Sequence, residues 1–319
     1  MAAVSTANTN QHYVPQMLLR GFSVDGNGEQ VRVFEKSDGR EFVTAIRNVG
    51  AERGYYDLDG SAELDEAMNA MDDVAAPIIQ KIRDRRSLSA INVNDIVILA
   101  AFTVLQMLRT RGYQEHWHHA QQATVEALRE KVGEAALPPW ILDFDRVQGR
   151  RDYLAIIPEF ARDFIPHLLD KNLLLFRADP TFPFIIGDNP VAMNNGMNKG
   201  DGIRGTLGFA VPGIEIYLPI SSELTLAFLC PSIGETFEIL ARKLKLIGGF
   251  INENVFYFLQ ARNTGKALKL KRESVQFQNS LQTFFAERFL ISSISNFTDA
   301  RAIIRERPEL QTGPRMRVF

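Results

Sequence analysis

The sequence is poor in cysteine, has no excess of charge of either sign and lacks a long apolar run. Its lone cysteine, Cys230, excludes an intramolecular disulfide and suits a reducing compartment. With 36 basic and 38 acidic residues, the net charge of -2 argues against a general polyanion binder, although it is compatible with a local basic patch. No apolar stretch approaches the roughly 20 residues that span a bilayer, and residues 1–11 do not resemble a secretory signal. The sequence therefore predicts a cytoplasmic protein with no membrane segment.

The chain is long enough to bury a large core. Its 319 residues are 45% hydrophobic and 23% charged, as in ordinary globular proteins. We expect a flexible N-terminus at residues 1–10 and a single domain at residues 11–262. Residues 263–319 are expected to form a C-terminal extension that packs on the domain or mediates assembly.

The order of periodic patterns predicts the fold class. Residues 31–36 and 41–46 are rich in β-branched and aromatic residues and flank an Asp-Gly turn, which predicts a β-hairpin. Apolar residues recur at helical spacing from Leu64 to about Arg86, and again from Ile96 towards Val132 with Gly112 as a weak point. Two later runs, at residues 214–218 and 224–229, have strand character. Because strands and helices are segregated, we predict an α+β fold with an N-terminal β-hairpin region, a central helical block and a mainly antiparallel sheet followed by helices.

The first candidate site lies in residues 12–22, which place three polar side chains among apolar ones. His12 has an ordinary pKa near neutrality, Gln16 offers an amide, and Arg20 could hold a carboxylate or phosphate through its planar fork. In the structural alternative, His12 and Arg20 bond backbone carbonyls while the apolar residues anchor the segment.

Two other motifs contain candidate ligand-binding groups. Gln106 and Arg109 are three residues apart on a predicted helix, so both could reach one anion. Asp188 and Asn189 follow the apolar run 184–186, where functional groups often protrude from a strand end. The alternatives are a solvated helix face for the first pair and a turn stabilised by side-chain bonds for the second.

The remaining polar clusters give weaker signals. Residues 115–119 could bring two metal ligands to one helix face, but two ligands do not complete a zinc site, so we predict no metal site. Several cations could contact phosphates if folding gathers them, or could simply be solvated helix ends; these are Arg83, Arg85, Arg86, Arg150, Arg151, Lys243 and Lys245.

Five motifs in a fixed order resemble a widespread, mostly bacterial family, domain of unknown function 4238. They are His12–Gln16 with Leu19, Arg20 and Phe22; residues 48–56; Gln106–Thr110; residues 187–191; and Tyr217–Ser221. The resemblance spans roughly Gln11 to Arg262 and implies a shared fold and a shared site. Gly187 stands where the family commonly has a serine, which counts against a serine nucleophile. The resemblance implies no reaction, substrate or cofactor.

The leading functional hypothesis is a hydrolase that acts on a phosphodiester or nucleotide. His12 would be the general acid or base, and Asp188 would orient it or activate water. Arg20 and Arg109 would neutralise the anionic transition state. The predicted substrate-binding residues are Gln16, Arg20, Gln106, Arg109 and Asn189.

Two functional alternatives stay open, beside a purely structural role. In one, the protein is not an enzyme and uses Arg20, Gln106, Arg109 and Asn189 to bind an anionic ligand or a partner peptide. In the other, it is a metal-dependent nuclease that uses Asp188 with acidic residues that the sequence does not identify. The expected partners are thus a small anionic ligand or nucleic acid, while the cofactor and oligomeric state are left open.

Overall fold

A computed structural model describes residues 10–26, 28–57, 61–138, 145–197, 207–246 and 253–315 of the chain. The predicted flexible N-terminus lies outside these residues except for Asn10. The described residues form three β-sheets around a block of helices, and the predicted α+β fold is confirmed.

The N-terminal region contains two pairs of antiparallel strands. Strands β1 (Asn10–His12) and β4 (Ala51–Arg53) pair so that His12 lies opposite Ala51, and a short helix α1 (Gln16–Leu19) follows β1. Strands β2 (Gln30–Glu35) and β3 (Glu41–Ala45) form the predicted hairpin. Its turn contains Gly39 at a φ of 72°, a conformation that favours glycine.

Four helices make up the central block: α2 (Glu63–Arg85), α3 (Val93–Leu108), α4 (Arg111–Val132) and α5 (Arg146–Leu169). The apolar helix α3 packs against both α2 and α5. The chain bends by 57° between α3 and α4, just before Gly112, where the Thr110 side chain caps α4. Among the described helices, none is by itself long and apolar enough to cross a membrane, and only the bent pair α3 and α4 passes that test together.

The second half of the chain contains the strands β5 (Asn172–Arg177), β7 (Ala192–Asn194), β8 (Glu215–Pro219), β9 (Leu224–Leu229) and β10 (Leu268–Lys269). These five strands form a mixed, mostly antiparallel sheet in the order β10-β5-β9-β8-β7, in which β10 and β5 are the parallel pair.

A second, four-stranded sheet joins distant parts of the chain in the order β3-β2-β11-β6. Strand β11 (Phe289–Ser292) lies between β2 and β6 (Ile186–Gly187). The segment after residue 262 therefore supplies an interior strand of this sheet. The accompanying helices are α6 (Pro231–Leu246), α7 (Glu253–Thr264), α8 (Arg272–Phe285) and α9 (Thr298–Glu306).

The core has one large cluster and one small one. The large cluster extends from the N-terminal motif through the central helices to the five-stranded sheet. The small cluster joins the hairpin to α9, with the rings of Phe34 and Phe297 stacked at 5.3 Å. The large cluster holds the N-terminal motif, α2 and α3 together, so polar groups there have fixed neighbours.

Candidate functional site

The polar residues of α3 bind groups of the protein itself. The Arg109 guanidinium is buried and donates two hydrogen bonds to the Asp72 carboxylate, from Nη1 to Oδ2 at 3.1 Å and from Nη2 to Oδ1 at 2.7 Å. Its Nε donates to Gln106 Oε1 at 2.9 Å, and Gln106 Nε2 donates to the Tyr13 carbonyl at 2.9 Å. These bonds orient the guanidinium towards the core.

His12 lies at the edge of the same network. Its imidazole is half-buried, and its Nε2 is 3.1 Å from Gln16 Nε2. Burial lowers the pKa of His12, and the negative charge of Asp72 opposes that change. Of the predicted site residues, Arg109 binds Asp72 and Gln106 binds Arg109, while His12, in contact with Gln16, is influenced by the charge of Asp72. We call these five residues the Asp72 cluster.

Asp188 and Asn189 bind other partners. Asp188 is buried, and its carboxylate accepts hydrogen bonds from the backbone N–H groups of residues 287, 288 and 289 at 2.7, 2.9 and 3.1 Å. Burial raises the pKa of Asp188 to about 6. Asn189 accepts from Thr110 Oγ1 at 2.8 Å and donates to the Phe285 carbonyl at 3.1 Å. Within the described part of the chain, no hydrogen bond joins Asp188 to His12.

Arg20 is exposed and also lies apart from the Asp72 cluster. Its neighbour Arg83 makes the contacts to backbone carbonyls, donating from Nη2 to Met17 at 2.9 Å and to Leu18 at 3.2 Å, and from Nε to Ile220 at 2.7 Å. Burial, with a smaller effect of the nearby Arg20 charge, lowers the pKa of Arg83 to about 10. The arginine that anchors the N-terminal segment is therefore Arg83, from α2.

A separate cavity of about 460 Å³ lies where α4 and α5 begin. Three arginines from these helices face it, and we call it the arginine cleft. Its lining consists of Glu52, Arg111, Gln114, Glu115, His118, Arg146, Val147 and Arg150.

Two carboxylates hold the arginines of the cleft. Glu52 lies between Arg111, at 3.6 Å, and Arg150, at 3.7 Å, while Glu115 pairs with Arg146. Arg150 also donates to the Tyr55 carbonyl at 2.7 Å, with its guanidinium 5.1 Å from the centre of the Tyr55 ring. Three cations against two carboxylates give the lining a net positive charge.

Arg109 and Arg111 are close in sequence but lie on opposite sides of the bend between α3 and α4. Arg109 lies before the bend and is directed into the core, whereas Arg111 lies after it and faces the cleft. The spacing of Arg146 and Arg150, four residues apart on one helix, was an available signal, since such residues share a face.

Asp72 was also missed. Its position on an otherwise solvated stretch of α2 gives no indication of a partner 37 residues later. Across the described ranges, no group of three or more His, Cys, Asp or Glu residues could hold a metal ion. The metal-dependent nuclease hypothesis thus has no identified ligand set.

Comparison with known proteins gives a family but no function. No curated protein and no solved structure matches the chain. One family model matches residues 10–296, nearly the whole chain, and confirms the resemblance carried by the five motifs. The chain therefore belongs to the family described as protein of unknown function (DUF4238).

Proposed function

We propose that the protein binds a small anionic ligand, with a phosphate or carboxylate group, in the arginine cleft. The observation that supports this proposal is the convergence of Arg111, Arg146 and Arg150 on one cavity. Arginine presents a planar array of N–H donors that matches both kinds of anion.

The three arginines can still donate to a ligand, unlike Arg109. Their side chains are 45%, 69% and 31% exposed, against 1% for Arg109. The N···O distances from Arg111 and Arg150 to Glu52 are 3.6 and 3.7 Å, which is longer than a hydrogen bond. These two guanidinium groups can therefore donate to an anion without breaking a hydrogen bond to Glu52. The cavity volume is within the usual range of roughly 300–1,000 Å³ for small-molecule sites.

Calorimetric titration of the full chain with inorganic phosphate, AMP and succinate tests the proposal. Arg146→Ala removes a cleft donor whose ion pair is with Glu115, and Arg162→Ala removes an exposed arginine of the same helix outside the lining. A charge-assisted hydrogen bond contributes about 1.5–3 kcal/mol, so we expect Arg146→Ala to weaken binding tenfold to a hundredfold. Arg162→Ala should leave binding unchanged. Equal losses in both variants, or no binding of any of the three anions, would refute a site in the cleft.

A second candidate function is hydrolysis of a phosphodiester or nucleotide with His12 as general acid or base. It is supported by the half-buried imidazole of His12, whose Nε2 is 3.1 Å from Gln16 Nε2 and whose pKa is lowered by burial. In this proposal the charge of Asp72 would favour the protonated form of His12, and Asp188 would have no role because its carboxylate is engaged by three backbone N–H groups. Gln16 would position the reacting group at His12 Nε2.

Turnover of bis(p-nitrophenyl) phosphate and of AMP tests this candidate. His12→Gln keeps a polar side chain of similar size but cannot exchange a proton, and a loss of a hundredfold or more is typical for a general acid or base. His167→Gln, on α5, is the matched control. Turnover that survives His12→Gln would eliminate His12 as the acid or base without affecting the arginine-cleft proposal.

A further inference from the structure

A cavity of about 950 Å³ lies at the edge of the five-stranded sheet, beside β10, the N-terminus of α8 and helix α7. Four cations and two aromatic rings line it: Lys266, Lys269, Lys271, Arg272, Phe182 and Tyr257. We call this cavity the basic groove. It shares no described lining residue with the arginine cleft.

The sequence of β10 explains why cations face the groove. Side chains of an extended segment alternate between two faces. Leu268 and Leu270 also line the groove but pack against the core, whereas the side chains of Lys269 and Lys271 are exposed, as is that of Lys266 before the strand. Lysines two residues apart on a strand are separated by roughly 7 Å, so they form a row of charges.

The charge of the groove is largely uncompensated. Asp179 is the acidic residue among its described lining, and it pairs with Lys269 at 3.3 Å. Four cations against one carboxylate leave a strongly positive surface, in a protein whose net charge is -2. This local excess favours a ligand that carries several negative charges along its length.

The groove also offers an exposed aromatic face. The Tyr257 side chain belongs to α7 and the residue is 48% exposed. Phe182 is already covered by Arg272, whose guanidinium lies 4.6 Å from the ring centre. Tyr257 is therefore the ring on which an incoming planar group can stack.

From this combination we propose that the basic groove binds single-stranded nucleic acid. The phosphates lie along Lys266, Lys269 and Lys271, and one base stacks on Tyr257. Cationic grooves with stacking rings bind single strands with little sequence preference. A base can stack on a side chain only when it is released from its neighbours, which excludes an intact duplex.

Fluorescence anisotropy of the full chain with a labelled oligothymidylate of about 15 nucleotides tests the proposal. Each phosphate neutralised on a single strand contributes about −0.7 to the slope of log K against log salt. We expect a slope of about −2 to −3 for the unmodified chain between about 50 and 200 mM salt. Lys266→Ala/Lys271→Ala should make the slope less negative by about 1.4. Lys131→Ala/Arg162→Ala, which removes the same charge from exposed positions outside the groove, should leave it unchanged.

Stacking is tested separately. Tyr257→Leu should weaken binding about 5- to 150-fold without changing the salt slope, because stacking involves no counterion release. Phe277→Leu is the control, since it removes an exposed ring of α8 that does not line the groove. All substituted side chains are exposed, and melting temperatures within error of the parent would verify intact folding.

Three results would overturn the proposal. One is no binding at protein concentrations up to about 100 µM in low salt. Another is an equal effect of the groove and control variants. The third is tighter binding of duplex than of single strands. Arg146→Ala should not change oligonucleotide binding, so failure of this proposal is distinguishable from failure of the anion site in the arginine cleft.

Discussion

Arg109, the C-cap residue of α3, and Asp72 on α2 form a bidentate ion pair, with N···O distances of 3.1 and 2.7 Å. Arg109 is almost fully buried and Asp72 is 17% exposed. Arg109 also binds Gln106, which donates to the Tyr13 carbonyl, so the Arg109–Asp72 pair connects α2 to the N-terminal motif. The ion pair therefore holds these two segments together.

Asp72→Ala should strongly destabilise the fold. Removal of one partner leaves a buried, unpaired guanidinium, and this typically costs about 3–5 kcal/mol. Urea unfolding measures the free-energy change, with Asp73→Ala, at an exposed position of the same helix, as the control. An exposed ion pair usually contributes less than about 1 kcal/mol to the free energy of unfolding. A decrease of that size or smaller in Asp72→Ala would show that the Arg109–Asp72 pair is not structural.

Gly112→Ala should also destabilise the protein, although alanine is the better helix former by about 1 kcal/mol. A Cβ at this position would lie 2.9 Å from Asn189 Nδ2 and 3.2 Å from Asn189 Cβ and Cγ. Bonds to Thr110 and Phe285 hold Asn189 in place, so the contact cannot relax freely. We expect a loss of about 1–3 kcal/mol in urea unfolding.

A second substitution identifies the cause. The Asn189→Ala background lacks Nδ2 and Cγ and retains only Cβ, 3.2 Å from the added methyl group, so Gly112→Ala should cost less free energy there than in the unmodified chain. If both backgrounds lose the same free energy, the close approach to Asn189 is not what requires glycine.

The fold was predictable where local patterns determine the structure. The β2–β3 hairpin follows from its Asp-Gly turn, and α2 follows from helical spacing between Leu64 and Arg86. The sequence is compatible with either one long helix or a kinked pair with Gly112 as the weak point, and the structure has the bend just before Gly112. Pairing between distant segments was not predictable, because no local signal matches β11 to β2 across about 250 residues.

The candidate site was less predictable because its polar groups have distant partners. Asp188 was expected either to face a crevice or to bond its own turn. It binds the backbone about 100 residues later instead. Gln106 and Arg109 were expected on one helix face, where they contact each other within one turn, but the ion pair of Arg109 with Asp72 depends on helix packing. Residue types thus indicate where charge is concentrated, while packing decides which charges a ligand can reach.

Lys36 should make stability depend on pH in the alkaline range. The residue is buried and donates to the carbonyls of Ala286 and Thr312, and burial lowers its pKa to about 8 from an ordinary value near 10.5. Between about pH 8 and pH 10 the folded state therefore binds fewer protons than the unfolded state. Stability contributed by this group rises with pH across that window.

The comparison of unfolding free energies for the unmodified chain and Lys36→Met isolates this effect. Contributions from the buried tyrosines are common to both proteins and cancel in the difference. The unfolding free energy of the unmodified chain minus that of Lys36→Met should rise by up to about 3 kcal/mol from about pH 8 to pH 10. A difference that is constant or falls over this range would contradict a depressed pKa for Lys36.

The pKa of His12 should lie below its ordinary value of 6.5 because burial disfavours the charged imidazole. NMR titration of the imidazole C–H resonances measures it, and His12→Gln assigns the signal among the five histidines. The folded state then binds fewer protons than the unfolded state below about pH 6.5, so the His12 contribution to stability falls as the pH falls through that value. His12→Gln should remove this dependence. A measured pKa at or above 6.5 would mean that the charge of Asp72 outweighs burial, and His12 would then be better suited to act as an acid than as a base at neutral pH.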